Sequence, residues 1–150
     1  MLLSILTHPH PILAQKSQPI KNPQDKAMQK LASDMIETMI KSNGVGLAAN
    51  QVGQALQLIV IAAKVLPEIK QPLVFFNPQI LRYSWRKTLS EEGCLSLPGL
   101  AAKVKRARSI KLRALTSQGA KIEFMAQGLL AIVLQHEVDH LNGILIIDKR

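Results

Sequence analysis

Cysteine is nearly absent from this chain. Cys94 is the only one among 150 residues, so no internal disulfide can form and nothing points to an oxidising compartment. Long apolar runs are missing as well: none exceeds the six residues of Leu58 to Ala63, where a membrane-crossing helix needs about 20. The start of the chain, Met1 to Pro9, has no basic region, no long apolar stretch and no small-residue cleavage site, so no secretory signal is expected and the default is a cytoplasmic protein with no membrane partner. Acidic residues are scarce, 10 Asp and Glu against 19 Lys and Arg, and the formal charge of +9 favours polyanions by long-range attraction. Aromatics are only 3%. So low a content argues against a base-stacking platform and against sequence-specific nucleic-acid recognition, and leaves phosphates as the main contact.

What the chain does have is a core. Hydrophobic residues make up 47% and charged residues 19%, well away from the composition of a disordered segment. A globule of this length buries roughly 68–70% of the surface that its unfolded chain exposes. No repeat and no Pro/Gly/Ser-rich linker divides it, so residues 1–150 are expected to form a single domain. The oligomeric state is left open.

Asn22-Pro23 reads as a helix start, and Met28, Leu31, Ala32, Met35, Ile36, Met39 and Ile40 recur at helical spacing up to Lys41. This methionine-rich stripe is a core-facing one. Strands are expected at Leu58–Ala63, Leu73–Phe76, Ile80–Trp85, Ser109–Leu115 and Ile122–Met125, separated by turn formers such as Asn77-Pro78 and Pro98-Gly99. A second helix is expected over Gly128–Leu141, stopped by Asn142-Gly143, and a last short strand over Gly143–Ile147. A block of strands with helices before and after it predicts an α+β fold.

The second helix carries His136-Glu137-Val138-Asp139-His140. Two histidines four residues apart share one helix face about 5–6 Å apart and can bind one metal ion, while the glutamate beside them can act as general base on a water activated there. The apolar stripe Leu129, Ile132, Val133 runs into both histidines, which argues against a solvated surface helix. Two imidazoles are not a complete set, because catalytic zinc-type sites normally have three protein ligands and an open position. Downstream, Ile146 stands where metzincins have a third histidine, and Asp148 is the only oxygen donor. Upstream, the strongest candidate is the thiolate of Cys94, within the glycine-bounded segment Glu92-Gly93-Cys94-Leu95-Ser96-Leu97-Pro98-Gly99.

Three segments in order, Gly44-Val45-Gly46-Leu47-Ala48-Ala49-Asn50-Gln51, Glu92-Gly93-Cys94-Leu95-Ser96 and His136-Glu137-Val138-Asp139-His140, resemble the signature motifs of peptide deformylases. The resemblance implies antiparallel sheets packed around a central helix bearing the histidines, preceded by an N-terminal helix. It implies a metal-dependent enzyme that removes the formyl group from the N-terminal N-formylmethionine of newly made polypeptides, releasing formate. Its metal would be one divalent ion held by Cys94, His136 and His140, Fe2+ in the cell with Zn2+ or Ni2+ accepted. Glu137 would be the acid/base, with Gln51 and the main-chain N–H of Leu95 holding the developing oxyanion. Glu92 would pair with Arg106 and orient the cysteine segment.

The substrate would lie along Gly44, Val45, Gly46 and Gly93. Gly44 and Gly46, having no side chains, would let an extended peptide pair with the main chain as an added strand. Leu129, Ile132 and Val133, with Val45 and Leu95, would form the methionine pocket. Two departures from the family stand out. Ala101 occupies a position where many members carry a substrate-holding arginine, and the chain reaches Arg150 without the C-terminal helix that many bacterial members use for ribosome docking. Between Gly93 and Ile122, however, there are seven Lys/Arg (Lys103, Lys105, Arg106, Arg108, Lys111, Arg113, Lys121) and no acid. This stretch reads first as a solvated strand face, with a basic surface that attracts ribosomal RNA or another anionic partner as the alternative.

Overall fold

The computed structural model describes residues Met1–Arg150. Its first long element, α1 (Lys26–Lys41), begins later than Asn22-Pro23 implied, because the Asp25 carboxylate accepts the N–H of Ala27 and caps the helix there. Asn22 instead closes the turn before it, its side chain accepting from the Gln24 N–H at 3.1 Å. The stripe buries Ala32, Met35 and Met39, whereas Ile40, counted into it by spacing, points outward.

Five antiparallel strands form the main sheet, which runs in the order β1 (Gly46–Ala48), β2 (Leu58–Ile61), β3 (Leu73–Tyr83), β6 (Ser109–Leu115), β7 (Lys121–Gln127). Between β3 and β6 along the chain, β4 (Lys87–Cys94) and β5 (Leu97–Ala107) pair as a separate two-stranded hairpin. The expected strands Leu73–Phe76 and Ile80–Trp85 are therefore one. Asn77-Pro78 does not end it: Asn77 takes a left-handed φ of 52° within a register shift, and its amide bonds both ways to the main chain of Ile20. Pro98-Gly99 is likewise inside β5, and the turn lies at Leu95-Ser96, where Cys94 opposes Leu97.

The second helix, α2 (Gly128–Leu141), has the expected bounds. It buries Leu130, Ala131, Val133, Leu134, Val138 and Leu141 in the main core. Gln135 fixes its rotation, donating to Ala107 O at 2.9 Å and accepting from Ala107 N–H at 3.0 Å, so that α2 is bonded to the end of β5. The chain end is not a strand: Ile146–Asp148 forms a 3-10 turn in which the Asp148 carboxylate accepts the Leu145 N–H. Leu145 and Ile146 pack with Leu97, Ala102 and Val104 in a small second core against the hairpin. No helix is long and apolar enough to cross a membrane.

Candidate active site and metal centre

His136 and His140 sit one turn apart on α2, their ring centroids 4.9 Å apart and their Nε2 atoms 3.2 Å apart. Cys94 closes β4, and the hairpin turn carries its Sγ to 3.3 Å from His140 Nε2. The N–H of Ser96 also points at that sulfur, at 3.4 Å. All three donor atoms lie within 4.8 Å of one another. One sulfur and two imidazole nitrogens converging on one point fit a first-row divalent metal.

The hydrogen bonds behind the donors prepare them for that role. His136 Nδ1 donates to Glu92 Oε1 at 2.9 Å, which turns Nε2, the nitrogen free to bind a metal once it gives up its proton, toward Cys94 and His140. Glu92 in turn accepts a two-pronged contact from Arg106, at 2.9 Å from Nε and 2.8 Å from Nη2. The expected Glu92–Arg106 pair is thus formed, and it is buried. Arg106 is consequently no part of a basic surface.

Burial pushes the Glu92 carboxyl up, but the bonds from Arg106 and His136 outweigh it and hold the group at about 2. Burial likewise lowers His136, and Cys94 and Glu92 reverse the effect, raising it to about 10. The surroundings of this ring therefore favour its protonated form, and a metal bound at Nε2 would displace that proton. His140, fully enclosed, is driven well down by burial, with the charge of His136 adding to the effect, and stays neutral as a ligand imidazole must.

Sequence reasoning passed over two participants. Asp139 accepts from Arg106 Nη1 at 2.6 Å. The signal for it was the five-donor guanidinium, which a single carboxylate cannot satisfy when buried. Ser96 is the other: its hydroxyl accepts from Gln51 Nε2 at 3.0 Å, while Gln51 Oε1 accepts from the N–H of Ala48 at 3.0 Å. These two contacts set the amide so that Nε2 also faces Cys94 Sγ, at 3.7 Å. The N–H of Leu95, in the turn, makes no hydrogen bond within the chain.

Glu137 is buried, and its Oε1 has no partner in the protein. Burial raises its carboxyl to about 7, where it can exchange a proton near neutrality. Gly46 makes room for it: a Cβ there would lie 2.8 Å from Glu137 Oε2. The expected role of this glycine, close approach of a peptide, is thus joined by an internal one.

A cavity of about 500 Å³ opens beside these groups, reaching Gly44, Val45, Gly46, Gln51, Gly93, Cys94, Leu95, Leu129, Ile132, Val133, His136 and Glu137. Every apolar residue expected in the methionine pocket lines it, Val133 buried within it and Leu129 half exposed. β1 is an edge strand of the main sheet, so its outer side is open for pairing. Ala101, opposite Gly93 in the hairpin, does not line the cavity.

A sequence-family profile, Polypeptide deformylase, matches residues 2–150. The chain belongs to this family. Its members are metal-dependent hydrolases that remove the formyl group from the N-terminus of newly made polypeptides, and the α+β architecture is theirs as well. A peptide deformylase of Syntrophobacter fumaroxidans is 46% identical over 148 residues, covering 99% of this chain and 86% of its own length. The peptide deformylase of Thermotoga maritima superimposes with a TM-score of 0.93 at 36% identity, over 99% of this chain and 97% of that one. A class I type b peptide deformylase of Acinetobacter baumannii, solved with Met-Ala-Ser bound, gives 0.93 at 36% identity over 100% and 99% of the two chains.

Proposed function

We propose that the residues around this cavity carry out the family's reaction on N-formylmethionyl nascent peptides, with Cys94, His136 and His140 holding one divalent ion. The observation that carries the reading is the convergence of those three donors beside a buried carboxylate whose one oxygen has no protein partner. When bound, the ion lowers the pKa of water and polarises the formyl oxygen. Fe2+ is the ion proposed in the cell, and the mixed sulfur–nitrogen set also suits Zn2+ or Ni2+.

Glu137 takes a proton from the attacking water and returns it to the departing amine as the C–N bond breaks, which gives formate and a free N-terminus. Gln51 Nε2 and the N–H of Leu95 donate to the formyl oxygen as it gains negative charge, an interaction stronger in the transition state than in the ground state. Glu92 and Arg106 hold His136 in its donor tautomer. The methionine side chain enters between Leu129, Ile132 and Val133, and the peptide main chain pairs along Gly44–Gly46 with Gly93 opposite. Met-Ala-Ser in the Acinetobacter neighbour is a deformylated peptide of the kind this reaction releases.

The 150 residues act as one cytoplasmic domain, drawn to the ribosome by basic surface residues. The test is formate release from formyl-Met-Ala-Ser by anaerobically prepared, iron-loaded protein, beside Glu137→Ala. Turnover by the first and its collapse in the second is the expected result, and equal turnover by both would overturn the assignment.

A further inference from the structure

The chain has one tryptophan and one tyrosine, and the fold sets both on a single exposed turn. Tyr83 ends β3, Trp85 stands 85% exposed in the two-strand connection, and β4 begins at Lys87. Each ring carries its own cation: Arg86 lies over Trp85 at 6.0 Å, and Lys87 over Tyr83 at 5.7 Å. Arg108, bonded to the main chain of the turn, and Arg82, next to Tyr83 in the chain but on the sheet face it shares with Lys111, are exposed as well, and none of the four cations has a carboxylate partner. On the neighbouring strands and helix, Glu123 is engaged by Lys111 and Arg113, Glu92 by Arg106, and Asp139 by Arg106 and Lys149, while Glu91, further along β4, is exposed and in no ion pair.

Hydrogen bonds pin the main chain of the turn. Ser84 N–H donates to Ser109 O, and its hydroxyl both donates to Arg86 O and accepts the Ser109 N–H. Arg108 bonds through N–H to Arg86 O and through Nε to Lys87 O. Cations without carboxylate partners around an indole presented to solvent are the combination by which single-stranded nucleic acids are held, phosphates on the cations and bases on the ring.

We propose that the Tyr83–Lys87 turn docks single-stranded RNA, through phosphates on Arg82, Arg86, Lys87 and Arg108 and through a base stacked on Trp85. The proposal rests on the basic-surface reading above and gives it a place. Low aromatic content argued against a stacking platform, but here position outweighs number. Arg108 also lines a second cavity that shares Leu129 and Ile132 with the substrate cavity. RNA held at the turn would therefore lie alongside the mouth that receives the nascent peptide.

Trp85, being the only tryptophan, is its own reporter. Metal-loaded protein is titrated with oligo(A) of about 12 nucleotides, within the span of known single-strand sites, following both indole emission and anisotropy of end-labelled RNA. The expected result is quenching of emission, with a log–log salt slope between about −2 and −3 for three to four phosphates. By anisotropy, Trp85→Ala should bind about tenfold more weakly, and Arg82→Ala/Arg86→Ala should lose about 1.4 from the slope. Formate release from formyl-Met-Ala-Ser should stay at the parent level in both variants, which separates this proposal from the deformylase reading. RNA binding without quenching, and with the variants unaffected, would move the site to cations such as Lys103 and Lys105 and overturn the proposal. Polyglutamate binding as tightly as RNA would assign the turn to an acidic protein, and no binding at all would remove both this proposal and the basic-surface reading.

Discussion

Gly46 and Glu137 are fitted to each other: a Cβ on the glycine would stand 2.8 Å from the glutamate's Oε2 and 3.0 Å from its Cγ and Cδ. Real side chains do not tolerate such contacts, and the crowded atoms lie at the base of a buried carboxylate. Gly46→Ala should therefore turn Glu137 away from the cavity. Since misplacing a reacting group by about 1 Å can cost about 100-fold, kcat should fall by roughly that factor while metal content stays near parent. A variant with parent kcat would show that Glu137 can shift without loss.

Glu137→Gln keeps the shape of the side chain and removes its capacity to take a proton. General acid–base groups contribute about 10²–10⁴-fold, and kcat should drop within that range in the formate assay. Metal content by elemental analysis should be unchanged, because Glu137 is not among the three converging donors. Loss of metal along with activity would instead make the residue part of the ion's support.

The Glu92–Arg106–Asp139 chain predicts a split between two readouts. Glu92→Gln weakens the acceptor of His136 Nδ1, and such changes behind a ligand typically lower metal affinity about 10–100-fold, to be read by chelator competition. Arg106→Ala takes the guanidinium from two carboxylates, leaving the buried Glu92 with His136 alone and Asp139 with Lys149, and breaking buried pairs from one side costs about 3–5 kcal/mol, to be read from urea unfolding. If neither variant departed from parent, the chain would be only a packing feature.

At the far side of α1, Asp34 accepts from Lys30 at 2.8 Å and from the Met1 ammonium at 2.9 Å, and these bonds, Lys30 first, hold its carboxyl below the ordinary 3.8. A carboxyl lowered in the folded state stabilises it above the unfolded value and loses that contribution as pH falls through the folded one. The urea midpoint of the parent should therefore exceed that of Asp34→Asn at neutral pH, and the gap should close as pH drops below about 4. A gap independent of pH would trace the difference to packing rather than charge.

The local chemistry was readable from the sequence where it repeats over short distances. His136 and His140 at helical spacing, the stripe leading into them and the stop at Asn142-Gly143 fixed α2 to its observed bounds. β4 and β5 escaped notice because Lys87–Cys94 carries few apolar residues, and Pro98-Gly99 looks like a turn while lying inside a strand. A two-stranded hairpin with one side in water needs little hydrophobicity along its length, so the periodic signal is weak. Merging Leu73–Phe76 with Ile80–Trp85 depended on Ile20, distant in the chain, which satisfies the side chain of Asn77 at the irregularity.

By itself the sequence determined the types of the candidate donor groups, the helix that carries two of them, the carboxylate between them and the charge of the whole. Those follow from residue identity and from a helical repeat of a few residues, which acts within one element. Only the tertiary structure decided that Cys94 meets that helix, that Asp139 completes the shell around Arg106, that Gly46 yields its space to Glu137, and that Trp85 and Tyr83 share one basic turn. Each of these joins elements far apart in the chain, and the strand pairing and packing that bring them together leave no periodic mark at either end.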